Sequence, residues 1–386
     1  MKLRMLTAGE SHGEAMVAIV EGLPYGLAVS LERLDRELSR RQWGHGRGPR
    51  MTIESDRVKV LSGIRHGRTM GSPVTLVVEN KDSENWREVM SVEGGESDPE
   101  TRPRPGHADV AGMLKLGAGD ARDILERASA RETAARVAAG ALAKLLLERL
   151  GMTVASRVTA IGSVNIPPGD NFREGFSGAD ESPVRCPDEE ISSAMVAEID
   201  RAASEGDSLG GVFEVCAFGM VPGLGSHSQY DRRLDAALFS ALASIPAIKG
   251  VESGWGFNLA VLRGTEAQDG IYLENGSLSR RTNRTGGIEG GISNGEPILL
   301  RAAMKPIPST GKPQKTVDLS DMSDAESFRE RADVCAVPAA SVVGEAVVAL
   351  VLADAVLDKF GGDSVVELER NFKGYLKQVE GFWRRF

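Results

Sequence analysis

The chain has 386 residues, of which 41% are hydrophobic and 26% are charged, a composition that excludes a small disulfide-stapled scaffold and is ordinary for a globular protein. The net charge of −9 and an isoelectric point near 5.3 disfavour a general binder of polyanions. Three distant cysteines without CxxC spacing argue against a disulfide framework or a zinc site and favour the reducing cytoplasm.

The predicted elements begin with a strand that follows the turn GESHG, residues 9–13. Two glycines bracket this turn, and glycine allows a close backbone approach, so the turn can present Ser11 and His12 to a pocket. The alternative is an ordinary turn with a solvated histidine. Charged residues interrupt the early apolar run, so no signal sequence is expected.

Further strands and helices are spread over the whole length of the chain. Strand-like runs begin at residues 58, 74, 152, 212 and 296. Helical periodicity occurs around residues 31–38, 137–145, 191–199 and 234–245, and two long helical patterns lie near the C-terminus. Residues 80–123 and 167–188 lack periodicity and are expected to be irregular. No repeat and no composition break divides the chain, so one α+β domain over residues 1–386 is predicted.

The helix around residues 137–145 has the clearest start in the sequence. Ser129 followed by Glu132 matches a capping box. Because a helix N-terminus attracts anions, the flanking Arg127 and Arg131 favour an anion site there. Simple capping with surface arginines is the alternative.

Membrane, metal and nucleic-acid partners are disfavoured. The most apolar segment, residues 336–357, contains Glu345 and Asp354 and is predicted to be a buried helix. The five histidines never fall three or four residues apart, which argues against a metal site. Trp43 lies in an arginine-rich loop, but 5% aromatic content and an acidic balance do not suit a long phosphate backbone.

Local clusters of arginine nevertheless occur in this acidic protein. One is the glycine-rich loop RRQWGHGRGPR, residues 40–50, and another is TRPRPGH, residues 101–107. Each guanidinium offers a planar fork to carboxylate or phosphate, so a compact and highly charged small molecule is expected as the ligand. The dense glycines of residues 281–297 indicate backbone wrapped around a flat ligand, with a flexible loop as the alternative.

Taken together, these segments resemble the chorismate synthase family over nearly the whole chain. The signatures are GESHGEAMVAIVEGLP at 9–24, ERASARETAARVAAGAL at 126–142 and RADVCAVPAASVVGEA at 331–346. RRQWGHGRG, RPGHAD, TNRTGGIEGGISNG and MKPIPS are also similar, in family order. Several separated motifs in one order are far more specific than a single short pattern.

The resemblance implies a carbon-oxygen lyase of the shikimate pathway. It would remove phosphate from 5-enolpyruvylshikimate 3-phosphate by 1,4-anti elimination to give chorismate for aromatic amino acid biosynthesis. Reduced FMN would be required without net redox change, and whether NADPH on this chain or an outside reductant reduces it stays open. The implied fold is a single domain with helices sandwiched between antiparallel sheets, assembled as a cytoplasmic homotetramer.

The resemblance also implies roles for individual residues. His12 would donate a proton to the departing phosphate, His107 would lie beside the flavin, and Asp333 would manage the proton at flavin N5. Expected substrate-binding residues are Ser11, Arg41, Arg47, Arg50, Arg104, Ser129, Arg131 and Arg331. Expected FMN contacts are Arg127, Ala128, Ser129, Pro246, Ala247, Gly290, Lys305, Pro306, Ile307, Pro308, Ser309 and Arg331.

Three positions depart from the family pattern and bear on flavin binding. Pro246 stands where asparagine is frequent, Ala128 replaces a frequent serine, and Ala332 replaces a frequent histidine or serine. None of the expected catalytic groups is lost. Two other functions stay open from the residues alone: a phosphocarboxylate lyase or transferase that works without flavin, and a regulatory module that binds an acidic metabolite.

Overall fold

The computed structural model describes residues 2–48, 55–95, 97–166, 175–274, 277–330 and 332–382. Two of the expected substrate-binding residues, Arg50 and Arg331, therefore lie outside the described residues. The helices are α1 Leu31–Gln42, α2 Asp109–Leu116, α3 Arg122–Ala128, α4 Thr133–Glu148, α5 Glu189–Ser204, α6 Leu234–Ala243, α7 Gly264–Ala267, α8 Val337–Phe360 and α9 Val365–Phe382.

The strands form two antiparallel sheets and several short hairpins. In chain order they are β1 Arg4–Ala8, β2 Ala15–Glu21, β3 Val58–Ser62, β4 Ile64–Arg65, β5 Arg68–Thr69, β6 Val74–Glu79, β7 Thr153–Ile161, β8 Val164–Asn165, β9 Gly211–Phe218, β10 Ile248–Ser253, β11 Ile271–Glu274, β12 Ser277–Arg280, β13 Ile288–Glu289, β14 Ile292–Ser293, β15 Ile298–Met304, β16 Lys315–Asp318 and β17 Ser323–Glu326. The larger sheets have the orders β1-β2-β6-β3 and β10-β15-β9-β7-β8.

In the four-stranded sheet, buried side chains alternate with more exposed ones along β2 and β6, and this alternation shows which face of the sheet is buried. Met16, Ala18 and Val20 on β2 are buried, and they lie opposite Val78, Leu76 and Val74 on β6. Because side chains alternate between faces with a period of two, all six lie on one face. That face packs against α4.

The helices lie between the two sheets. Helix α4 contacts β2 and β6 on one side, and α8 contacts β7 and β9 on the other. The two helices also pack against each other, and α1 and α6 flank α8 in the same layer. This order of sheet, helices and sheet confirms the predicted α+β sandwich.

Helices α4 and α8 approach each other closely at Gly140. A Cβ atom built there would lie 2.4 Å from the Cβ of Ala346 and 2.8 Å from its carbonyl oxygen. Glycine on α4 and alanine on α8 therefore let two helix backbones approach more closely than larger side chains would allow.

Helix α8 confirms the buried helix expected from its apolar sequence, since 78% of its most apolar stretch is buried within the protein. Glu345, one of the acidic residues in that stretch, is fully buried and accepts hydrogen bonds from Lys144, Arg40 and Ser156. Burial would raise the pKa of Glu345, but the charges of Lys144 and Arg40 outweigh it and hold the pKa well below its usual range.

Most of the elements expected from the sequence are present, with one correction. The stretch 80–123 is not irregular throughout, because it contains a short 3-10 helix at Lys81–Trp86, helix α2 and the start of α3. Helices α2 and α3 bury a small apolar cluster of Met113, Ala121 and Leu125. Its few apolar residues give too short a pattern for periodicity to detect.

The capping box predicted from Ser129 and Glu132 does not form at the start of α4. Ser129 caps the 3-10 turn Ala130–Glu132 by accepting a hydrogen bond from the backbone N–H of Arg131. Glu132 instead accepts hydrogen bonds from Thr7 and Arg136. Its carboxylate therefore ties this turn to β1 as well as to α4.

Replacing Gly140 with alanine is expected to lower the free energy of unfolding by about 1–3 kcal/mol, because the added methyl group overlaps the backbone of α8. Gly374 in α9 is the matched control, since a Cβ there meets nothing within 4 Å. Gly374→Ala should stabilise the protein by about 0.5–1 kcal/mol. The midpoints of urea denaturation measure both changes, and equal midpoints for the two variants would contradict the close packing.

Candidate active site

A cavity of about 450 Å³ lies where the first turns of α4 and α8 meet loops from both sheets. Its wall combines a cationic part with an apolar part. The apolar part includes Ile245, Met304, Ile307 and Val343, and the cationic part is built from arginines and histidines of several loops. The cavity therefore suits a ligand with a flat apolar body and negative charges at its edge.

Most residues that the sequence singled out converge on this cavity. Those in its lining are Ser11, His12, Arg41, Arg47, Arg104, His107, Ala128, Ser129, Arg131, Pro246, Ala247, Lys305, Ile307, Pro308, Ser309 and Asp333. They come from segments up to 322 residues apart in the chain, since Ser11 and Asp333 face the same space. Arg127, Gly290 and Pro306 are not in the lining.

Two of these three outlying residues have clear positions. The guanidinium of Arg127 donates to the carbonyl oxygens of Thr7 and Gly9, at 3.0 and 3.1 Å. Gly290 is exposed in the turn between β13 and β14, with a φ of 60°. Their contacts with FMN stay predictions.

The turn 9–13 presents a buried histidine rather than a solvated one. Gly9 has a φ of 106°, and a Cβ there would lie 2.2 Å from the carbonyl oxygen of Ala15, so only glycine fits. Asn80 holds the turn by donating to the carbonyl oxygens of Glu10 and Gly13, at 3.1 and 2.7 Å. His12 is only 8% exposed.

Three contacts hold His12 in place. Glu126 accepts from its backbone N–H at 2.8 Å and contacts the ring Nδ1 at 2.8 Å. The imidazole stacks on Trp86 with 4.0 Å between ring centroids. Arg122 lies 5.0 Å from the Trp86 ring and also donates to Glu126 at 3.2 Å. Burial would raise the pKa of Glu126, but the hydrogen bonds from His12 outweigh it and lower the pKa.

His107 has a similar anchor. Its Nδ1 contacts Oδ1 of Asp109, which is fully buried. The backbone N–H and the Nε of Arg104 also donate to Asp109, at 3.1 and 3.0 Å. Burial alone would raise the pKa of Asp109, but the hydrogen bonds from His107 and Arg104 outweigh it and lower the pKa to about 2. Asp109 is therefore a carboxylate at neutral pH.

Asp333 is held at the cavity by the arginine-rich loop. One carboxylate oxygen accepts from Arg47, and the other accepts from the backbone N–H of Gly48 at 2.7 Å. A Cβ at Gly48 would lie 2.7 Å from the carbonyl oxygen of Ala332, so this approach also requires glycine. The loop after α1 and the loop before α8 are thus joined by a half-buried ion pair.

Arg41 and Arg131 share the carboxylate of Asp56 but differ in how they are satisfied. Arg131 donates to both oxygens of Asp56 at 2.7 and 2.8 Å and to Asn80 at 2.7 Å. Arg41 donates to Thr133 at 2.9 Å, whereas its buried Nη1 has no hydrogen-bond acceptor among the described residues. Burial lowers the pKa of Arg41. Its Nη1 lies 3.5 Å from Oδ2 of Asp56 without forming a hydrogen bond, so an anion in the cavity could supply the missing acceptor.

A strained backbone also faces the cavity at Ala247. This residue has a φ of 67°, which is uncommon for a residue with a Cβ, and its carbonyl oxygen accepts from the N–H of Lys305 at 2.9 Å. The hydrogen bond joins the loop before β10 to the segment after β15. Both segments then line the same wall.

Sequence reasoning missed the groups that hold the histidines. Asp109 lies within the RPGHAD motif and Glu126 opens the ERASARETAARVAAGAL motif, yet neither was assigned a role. Trp86 lies in the stretch that showed no periodicity. Only the spatial contact with a histidine distinguishes these residues from ordinary polar or aromatic ones.

The family model for chorismate synthase matches residues 3–357, which is most of the chain. The chain belongs to the chorismate synthase family. This confirms the resemblance that the motifs indicate, and it makes the protein a lyase of this family rather than a regulatory module.

Curated chorismate synthases and a solved structure are similar to this chain over nearly its full length. The chorismate synthase of Desulforudis audaxviator is 57% identical over 387 residues, covering 98% of each chain. That of Symbiobacterium thermophilum is 56% identical over 388 residues, covering 98% of this chain and 99% of its own. A crystal structure of a chorismate synthase has a TM-score of 0.81 at 40% identity and covers 99% of both chains.

The buried Asp109 carboxylate should make stability depend on pH in the acid range. Its folded pKa of about 2 lies below the ordinary value, so its contribution is present above about pH 4 and is lost as the pH falls towards 2. Asp109→Asn should destabilise the protein by about 1–3 kcal/mol at pH 7. Denaturation of both proteins between pH 7 and pH 2.5 measures the difference, which should narrow below pH 4. A difference that stays constant would contradict the role of the ionised carboxylate.

Proposed function

We propose that this cavity binds 5-enolpyruvylshikimate 3-phosphate together with reduced FMN and eliminates phosphate to give chorismate. The observation that carries the proposal is the convergence of His12, His107 and Asp333 on one cavity lined with arginines. A substrate with two carboxylates and a phosphate suits those arginines, because guanidinium groups bind such anions with paired hydrogen bonds.

Arg41 is proposed as the principal unsatisfied donor to the substrate. Its buried Nη1 has no acceptor within the described part of the chain, so a bound anion would satisfy it. Arg131, whose guanidinium is bound to Asp56 and Asn80, is proposed to contribute positive charge and to position its neighbours. Ser11 and Ser129, which share a hydrogen bond of 3.1 Å, would supply hydroxyl groups.

His12 is proposed to donate a proton to the phosphate as the carbon–oxygen bond breaks. Its Nδ1 is engaged by Glu126, so Nε2 is the nitrogen that would serve the substrate. Histidine suits such a transfer because its ordinary pKa is near neutrality. The stack on Trp86 keeps the ring in one plane during the transfer.

The cavity fits a reduced flavin by the chemistry of its lining. Ile245, Met304 and Val343 offer an apolar surface to a flat ring, while Lys305 and Ser309 are polar groups for its phosphate-bearing chain. When bound, reduced FMN would supply electron density as phosphate leaves. Arg50 and Arg331 remain proposed ligands that lie outside the described residues.

His107 and Asp333 are proposed to act beside the flavin. Nδ1 of His107 contacts Asp109 and also lies 3.0 Å from Nη2 of Arg104, so the imidazole is held in one orientation from which it would face an anionic neighbour. Asp333 is fixed by Arg47 and Gly48 and would hold a proton near the ring. Both side chains are anchored by protein groups, so they are preorganised for these tasks.

The assembly is proposed to be a cytoplasmic homotetramer that needs no metal, nucleic acid or membrane. Leu6 and Ile19 lie opposite each other on β1 and β2 and are 57% and 40% exposed, which supports a contact between copies on that face. Three free and buried cysteines support a reducing compartment. NADPH or an outside reductant would reduce the flavin.

An anaerobic assay with the phosphorylated enolpyruvyl substrate tests the reaction. Phosphate release should depend on reduced FMN, whereas release without flavin would favour a flavin-independent lyase. Binding without turnover would instead favour a module that only recognises an acidic metabolite.

His107→Ala and Asp333→Ala should fold but lose turnover by about 100-fold or more, because each removes a group proposed to act beside the flavin. The rate of anaerobic phosphate release measures the loss, and circular dichroism checks the fold. Full activity of either variant would refute its assigned role.

Arg41→Lys should raise KM for the substrate by about 10-fold or more, because lysine cannot reproduce the guanidinium fork. Arg40→Lys is the control, since Arg40 points away from the cavity to Glu345 and Asp180. Its effect should appear in thermal stability instead of KM. An unchanged KM in Arg41→Lys would remove Arg41 from the proposed substrate site.

A further inference from the structure

The contacts of Glu126 have a pattern that its burial alone does not explain. One carboxylate oxygen accepts from the backbone N–H of His12, and the other contacts Nδ1 of the same residue, both at 2.8 Å. A carboxylate that binds the backbone and the ring of one histidine fixes both its position and its rotation. Glu126 itself is 4% exposed, so water cannot easily replace either contact.

Arg122 and Trp86 complete the enclosure of this pair. Arg122 donates to the oxygen of Glu126 that faces Nδ1, at 3.2 Å. The Trp86 ring stacks on His12 with 4.0 Å between ring centroids, and its centroid lies 5.0 Å from this guanidinium. Helix α3 thus supplies two charged partners near His12, Glu126 and Arg122, and the 3-10 helix Lys81–Trp86 supplies the indole ring. Arg41, Arg47, Arg104 and Arg131 line the cavity on the substrate side.

We propose that Glu126 is a positioning residue for the reaction, acting through His12. Its carboxylate keeps hydrogen on Nδ1, so the proton given to the leaving phosphate comes from Nε2. When that N–H bond and the carbon–oxygen bond break, the phosphate oxygen gains the proton and a neutral imidazole remains, with Nδ1–H still donating to Glu126. This inference rests on the proposed role of His12 as the proton donor.

The charge of Glu126 favours this arrangement at neutral pH. The hydrogen bonds and charge of His12 lower the pKa of Glu126 in spite of its burial, so it is a carboxylate and can only accept hydrogen bonds. An accepting partner at Nδ1 selects the tautomer with hydrogen on that nitrogen.

The same relation recurs at the second histidine. Asp109 contacts Nδ1 of His107 and is bound by Arg104, as Glu126 contacts Nδ1 of His12 and is bound by Arg122. Two separate helices, α2 and α3, therefore each place a buried carboxylate, itself paired with an arginine, behind a histidine that lines the cavity. This repetition argues against incidental core packing at Glu126.

Glu126→Gln is the principal test, because it removes the negative charge and keeps the shape. With reduced FMN and the phosphorylated substrate, kcat should fall by about 10-fold to 100-fold while KM stays within about threefold. The pH profile of kcat/KM should differ from that of the natural chain, because the imidazole loses its carboxylate partner. Glu126→Asp, which keeps the charge, should retain the pH profile of the natural chain.

Glu132→Gln is the matched control, a buried glutamate that accepts from Thr7 and Arg136 and contacts no histidine in the described structure. It should leave the pH profile unchanged even where it lowers thermal stability. If Glu126→Gln fails to fold, the kcat and pH profile of Glu126→Asp test the proposal in its place. A drop in kcat in Glu126→Asp with an unchanged pH profile would support positioning of His12 by the reach of the Glu126 carboxylate, and full kcat in that variant would contradict it.

Nitrogen-15 NMR of labelled histidine gives a readout that does not require turnover. The His12 signal, assigned by its loss in His12→Ala, should show a protonated Nδ1 in the natural chain and a mixture of tautomers in Glu126→Gln. The same tautomer in both, with an unmoved pH profile, would overturn the proposal. Full turnover in His12→Ala would instead refute the proton-donor role, whatever the tautomer.

Discussion

The cavity depends on cations that carboxylates from other parts of the chain hold in place. Asp56 binds Arg131, which lies 75 residues further along, and Asp333 binds Arg47 across 286 residues. A buried guanidinium without such a partner would cost several kcal/mol, so these arginines can line the cavity only when the loops have closed around them. The binding site therefore forms only when these loops reach their folded positions.

The helical layer sets the positions from which those loops start. Gly140 lets α4 approach α8, and the first turns of both helices then open on the same space. Ser129 precedes one of these helices and Asp333 precedes the other. Two loops that are about 200 residues apart in the chain thus meet because the helices behind them pack closely.

A second group of buried charges, which lies outside the cavity lining, links α1, α4 and α8. Glu345 on α8 binds Arg40 at the end of α1 and Lys144 on α4. Adjacent residues on a helix point about 100° apart, so Arg40 turns to this inner group while Arg41 turns to the cavity. The last turn of α1 therefore contributes to the core and to the site at once. Loss of the ion pairs between Glu345, Arg40 and Lys144 is expected to shift the end of α1, which carries Arg41, and the loop after it, which carries Arg47.

The sequence by itself determined strands β2, β3, β6, β7, β9 and β15, the buried helix and the family, because these depend on local periodicity and on motifs that read in one order. It also indicated which arginines and histidines would meet. It did not indicate Glu126, Trp86 or Asp109 as partners of the histidines, because a buried carboxylate or indole has no distinctive local pattern. Only the tertiary structure decided those contacts and the unsatisfied Nη1 of Arg41, since both depend on which distant groups come within hydrogen-bonding distance when the loops pack.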